Sequence, residues 1–237
     1  MIERIHILKS GDRVPIYSRY GINEQSVNEK KRGGVNMQKF KTLWLLAGLL
    51  LISTAALAHV PYLEETDFTA SAPFKCPSVL QSIAVYSWLQ SDTDVDFYTF
   101  NAYTCIPFYA GLIVPVFDVY AEFRPSMALI GQGLPDPGEL LPVPLAPGEG
   151  AIVLHDAGLE PRPQFFEPFG NKSYYQGPEL NIKLKPGKYR LIYWDPEGDT
   201  GDYVAAIGKY EIWLPKDIVR AFKITPIIRA GGELHLP

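Results

Sequence analysis

The sequence is poor in the residues that build most recognisable sites. It has only two cysteines, Cys76 and Cys105, and four histidines in 237 residues. Neither cysteine lies in a CxxC pair or beside a histidine, so they do not read as a metal or redox site. There is no basic excess: 22 Lys and Arg stand against 26 Asp and Glu. That removes the counterion-release term on which nucleic-acid binding depends. No apolar run reaches the roughly 20 residues that a membrane-spanning helix needs. There is no GxSxG, HExxH, P-loop or GxGxxG pattern, and so no motif for a common nucleophile, zinc or nucleotide site. What remains, 47% hydrophobic and 20% charged residues, suits a globular chain and excludes a disordered or collagen-like one.

The chain divides unevenly. From Met37, Lys39 and Lys41 form a basic stretch, Leu43 to Ile52 an apolar core and Ala56-Leu57-Ala58 a small-residue cleavage site. This is the layout of a secretory signal peptide, with cleavage expected after Ala58. Residues 1–36 are polar and aperiodic. The Gly33-Gly34 codons can spell a purine-rich ribosome-binding sequence, separated from the Met37 codon by the two codons of Val35 and Asn36, so residues 1–36 are expected to be translated upstream sequence in a prokaryote. The working protein is then a single domain, 59–237, secreted or periplasmic and without a membrane anchor. It carries 13 basic and 22 acidic residues, a net charge of −9. In an oxidising compartment Cys76 and Cys105 are expected to pair as one disulfide.

Period-2 alternation of β-branched and aromatic residues runs through this domain. It predicts strands at 82–89, 95–102, 112–123, 127–131, 151–155, 180–184, 188–194 and 203–213, the third interrupted or bulged at Pro115. One short helix is expected over 216–223, ended before Pro226. Many strands with no helices between them predict an all-β, antiparallel β-sandwich of jelly-roll-like form. Two segments interrupt the pattern. Residues 131–150 are too rich in Pro and Gly for regular structure and are expected to lie extended over the surface. Residues 161–177 carry Phe165, Phe166, Phe169, Tyr174 and Tyr175 in an apparent loop, which reads as a cover for one end of the sandwich or a surface for a ligand.

Two stretches resemble a known family. Asp94-Val95-Asp96-Phe97-Tyr98-Thr99-Phe100 is similar to the D-x-D-x-Y-x-F strand of bacterial pre-peptidase C-terminal domains. Lys185-Pro186-Gly187-Lys188-Tyr189-Arg190-Leu191, followed by Gly198-Asp199-Thr200-Gly201-Asp202-Tyr203-Val204, resembles the same family's hairpin. The resemblance implies a secreted jelly-roll-like sandwich that acts as a binding or accessory module rather than as an enzyme. The chain differs from the family in the two long insertions between these stretches.

Three candidate sites follow. Asp92, Asp94 and Asp96 alternate and so point one way, and Asp199 and Asp202 lie in a second acidic turn that could approach them. Hard carboxylate oxygens in such a group suit calcium. Phe97 and Tyr103 occupy positions where an EF-hand needs Gly and Glu, so this is not that motif. His59, as a new N-terminus, offers an amine and an imidazole that could chelate copper, with His155 or His235 as the second histidine. The aromatic segment is the third, for a glycan or an envelope protein.

Overall fold

The computed structural model describes residues 59–236; the expected extension 1–36 and signal segment 37–58 lie outside the described residues. Eleven strands are formed: β1 (Val60–Leu63), β2 (Phe74–Lys75), β3 (Ile83–Leu89), β4 (Asp96–Ala102), β5 (Ile106–Pro115), β6 (Ser126–Gln132), β7 (Glu149–Leu154), β8 (Gln164–Glu167), β9 (Lys172–Leu184), β10 (Gly187–Trp194) and β11 (Gly201–Ile207). One helix follows, α1 (Pro215–Ala230). A six-stranded sheet in the order β1-β3-β11-β5-β9-β8 faces a five-stranded sheet in the order β2-β4-β10-β6-β7. The fold is an all-β sandwich with a C-terminal helix. Its pairs are antiparallel except at one end of each sheet, where β1 runs parallel to β3 and β2 parallel to β4.

Alternation decides what is buried. In β10, Tyr189, Leu191 and Tyr193 face the core between the sheets, while Ile192 and Trp194 face outward. In β3, Ile83, Val85 and Leu89 enter that core and Ala84 and Tyr86 face outward. Each fully buried aliphatic side chain stabilises by about 1.5–3 kcal/mol. The outward apolar residues are covered too. Leu141, Val143 and Leu145 of the Pro-rich segment pack on Phe97, Ala128, Ile130 and Ile192 of the five-stranded sheet. That segment is therefore an irregular strap, as its composition implies.

Several boundaries differ from those read in the sequence. Strand β5 starts at Ile106 and ends at Pro115, followed by a 3-10 turn over Asp118–Tyr120. The register shift between β5 and β9 falls at Gly111/Ile113 rather than at Pro115. Opposite it lie Gly177 and Pro178, and Pro178 has no N–H to donate to the ladder. The aromatic segment is not a loop. It forms a hairpin of β8 and the start of β9, Phe165 opposite Tyr174 and Phe166 opposite Ser173. Helix α1 continues through Pro226 to a left-handed cap at Gly231, φ 76°. Pro226 leaves the Phe222 carbonyl without its helical donor, but Phe222 is 78% exposed, so water can replace that donor. At the other end the Leu214 N–H donates to Asp217 Oδ2 at 3.1 Å, and the Gln81 amide donates to the same oxygen at 2.8 Å. No helix of the described residues is long and apolar enough to cross a membrane.

Candidate cation site

Strand β1 is parallel to β3, with Leu63 beside Tyr86. Both strands therefore end on the same side of the sandwich. Glu64 follows β1 directly, and its carboxylate is held by two backbone donors: Phe68 N–H to Oε1 at 3.1 Å and Trp88 N–H to Oε2 at 2.9 Å. The chain then crosses to β2 in the other sheet. On the way Phe68 packs against Tyr98 and Phe74, and its carbonyl accepts the Phe97 N–H at 2.7 Å. This crossover carries Asp67 over the start of β4.

Asp96 is the first residue of β4 and shares the inward face of Tyr98 and Phe100. It is fully buried. Its Oδ2 accepts the Tyr203 hydroxyl at 2.6 Å, and that hydroxyl lies 3.2 Å from Tyr98 Oη, which is 2.6 Å from Ser87 Oγ. Asp96 Oδ1 has no hydrogen-bond partner, and neither does the buried Asp67 Oδ1. One carboxylate oxygen from each of Glu64, Asp67 and Asp96 lies within 4.8 Å of the others. Calcium binds oxygen at about 2.3–2.6 Å, so oxygens on opposite sides of the ion stand about 4.6–5.2 Å apart. Oxygens within 4.8 Å of one another can all reach one such ion.

Gathering acids away from water has an electrostatic cost. Burial, then the proximity of other carboxylates, pushes Asp96 up to about 9. Burial likewise pushes Glu64 up to about 7, against the pull of its two backbone donors. Asp67 is raised by burial and by Asp94. Each shift favours the protonated form, so a proton and a cation compete for these oxygens.

The five aspartates picked from the sequence separate in the structure. Asp96 belongs to the cluster. Asp94 borders it, its Oδ2 accepting the Gln90 N–H at 2.7 Å. Asp92 is exposed and stands outside, against the second acidic turn: a Cβ placed on Gly198 would lie 3.2 Å from Asp92 Cβ. The two turns do meet, but Asp199 serves that turn's own geometry, its N–H donating to Asp195 Oδ1 at 3.1 Å. Asp202 is buried elsewhere. It accepts the Tyr120 hydroxyl at 2.5 Å and the His235 N–H at 2.8 Å, and its Oδ1 lies 2.7 Å from His235 Nδ1. Sequence reasoning missed Glu64 and Asp67. The acidic run Glu64-Glu65-Thr66-Asp67 after an alternating strand was the available signal.

The histidines are dispersed. His59 Nδ1 lies 2.6 Å from Ser82 Oγ, and burial lowers its pKa. His155 Nδ1 lies 2.7 Å from Ser126 Oγ, with Glu139 at 3.0 Å from Nε2. The structure does not assemble the copper brace: His59 precedes β1 at an edge of one sheet and His155 follows β7 at an edge of the other. Among the described residues, no group of three metal-competent side chains includes a histidine. The Ser126–His155–Glu139 chain has the composition of a hydrolase triad, but Ser126 is fully buried, so a substrate carbonyl cannot reach its Oγ.

Of the aromatic set, Phe165, Phe169 and Tyr174 pack with Tyr86, Val204 and Ile228 on the outer face of the six-stranded sheet, beneath α1. They do not cap an end of the sandwich. Tyr175 is half-buried under the Arg162 guanidinium, 4.6 Å from the ring centroid, and Phe166 is exposed. The two cysteines are free thiols, so the expected bridge is not formed here. The Cys76 N–H donates to the Thr99 carbonyl at 3.0 Å beside β4, and burial raises its thiol to about 12. Cys105 is exposed in the turn between β4 and β5.

No family model and no curated protein matches this chain. Among solved structures, the chain is similar to the pre-peptidase C-terminal domain of a collagenase from Bacillus anthracis, at 14% identity and a TM-score of 0.32, over 57% of this chain and 93% of that one. It is also similar to the periplasmic inhibitor of g-type lysozyme from Aeromonas hydrophila, at 11% identity and a TM-score of 0.32, over 64% of this chain and 98% of that one. The former belongs to the family that the two sequence stretches resemble.

Proposed function

We propose that this is an exported, non-catalytic β-sandwich protein that binds one calcium ion between Glu64, Asp67 and Asp96. The observation that carries the reading is the unpartnered Oδ1 of the fully buried Asp96, set among two further carboxylates at calcium spacing. A buried carboxylate oxygen without a donor is costly unless a proton or a cation meets it. An ion here would tie the β1–β2 crossover to β4 and to the Tyr203 hydroxyl, joining both sheets at one end. Its role is then to hold the binding module in shape. Export is supported by the signal layout of residues 37–58, and the bound partner is an envelope protein or a glycan.

The test is thermal unfolding in millimolar calcium and in EDTA. Calcium at about 100 times its dissociation constant stabilises by about 2.7 kcal/mol, or roughly 5–10 °C in a protein of this size. An unchanged Tm, or the same shift in Asp96→Asn, would contradict the reading.

A further inference from the structure

The strap packs on Phe97, Ala128, Ile130 and Ile192 of the five-stranded sheet and leaves Lys75, Asn101 and Lys188 of that sheet exposed. Beyond the strap lies an open groove of about 870 Å³ at the other end of β4 from Asp96. Its floor is set by strand register. Lys75 and Arg190 stand opposite Thr99 from either side, and Lys188 stands opposite Asn101. Neighbouring strands are about 4.8 Å apart, so Lys75 and Arg190 are separated by roughly 10 Å across the sheet, and Lys188 lies about 7 Å from Arg190 along its strand. The segment from Cys76 to Leu80 walls one side, and the turn at Tyr103 and Thr104 walls the other. Tyr103 is 85% exposed.

The charge of this groove opposes that of the molecule. From His59 onward acids outnumber bases by nine, yet here three cations meet one lining acid, Glu149, which pairs with Arg190 at 2.5 Å. Among the cations on the floor lie the neutral hydrogen-bonding groups Thr99 and Asn101. The ligand that fits has separated negative charges with hydroxyls between them and a flat face for an exposed ring. Duplex DNA, with one charge per ~1.7 Å, would bring its dense phosphates against the surrounding negative surface. We propose that the groove binds an anionic glycan, its acidic groups on Lys75, Lys188 and Arg190 and one sugar ring against Tyr103. The site stands apart from the calcium cluster and does not depend on it.

The experiment is affinity electrophoresis of the purified protein in gels containing polygalacturonate, neutral dextran or duplex DNA. Polygalacturonate should retard it, dextran should not, and added salt should weaken the retardation. The Lys75→Ala/Lys188→Ala double variant should bind about tenfold more weakly, the equivalent of 1.4 kcal/mol. Tyr103→Ala should weaken binding as well, while Lys216→Ala/Lys223→Ala on α1 should leave it unchanged. Unfolding midpoints would confirm that the variants are folded. No retardation by polygalacturonate, equal loss in the helix variant, or equal retardation by DNA would each overturn the proposal.

Discussion

At the scale of single residues, Asp96 carries most of the chemistry. In cation-free protein, Asp96 and Glu64 bind protons more tightly when folded than when unfolded, since burial raises both. Their stabilising effect is thus present in mild acid and lost as pH rises through about 7 for Glu64 and about 9 for Asp96. In EDTA, the Tm should fall between pH 5 and pH 9, and calcium should flatten that fall by meeting the ionised oxygens. Asp96→Asn should remove both the Asp96 part of the pH dependence and the calcium effect, read by thermal unfolding across pH. Tyr203→Phe removes the hydroxyl that donates to Asp96 Oδ2. It should cost about 1.5–3 kcal/mol in denaturant unfolding when Asp96 is ionised, the range for a hydrogen bond to a charged group. The thiols give an independent check. At pH 8, iodoacetamide should label the exposed Cys105 and spare Cys76, whose thiol is raised to about 12, until the protein unfolds. A bridged pair would label at neither position.

At the scale of elements, the connections matter more than the strands. The β1–β2 crossover brings Glu64 and Asp67 to Asp96, and α1 clasps the outer face of the six-stranded sheet through the fully buried Ile228. Ile228→Ala should cost about 2–5 kcal/mol, measured by denaturant unfolding, because the cavity opens between helix and sheet. Much of this level was legible in advance. Alternation located β3, β4, β6 and β10 within a residue or so. The hairpin of β8 and β9 was hidden because Phe165-Phe166 and Tyr174-Tyr175 double their aromatics and so break period 2. The length of α1 was hidden because Pro226 reads locally as a helix stop, whereas the helix runs past it to the left-handed cap at Gly231. The cation cluster was half legible. The Asp94–Asp96 alternation pointed to Asp96, but Glu64 and Asp67 reach it only through the parallel pairing of β1 with β3, which no local pattern encodes.

At the scale of the whole molecule, the picture is an acidic sandwich with two ends of opposite sign. One end of β4 gathers carboxylates around a space of calcium size, and the other opens on a cationic groove. Electrostatics makes these roles separable: removing Lys75 and Lys188 should not affect calcium binding, and removing Asp96 should not abolish glycan binding in a folded variant. Export, as proposed from the signal layout of residues 37–58, would put both ends in the calcium-exposed space outside the cytoplasm. The most direct test of the central claim is calorimetric titration of the EDTA-stripped, dialysed protein with calcium, alongside Asp96→Asn. The account predicts one ion per chain in the wild type, with proton release on binding, and no binding in the variant. Absence of a calcium-binding signal in the wild type, or identical isotherms for the two proteins, would contradict it.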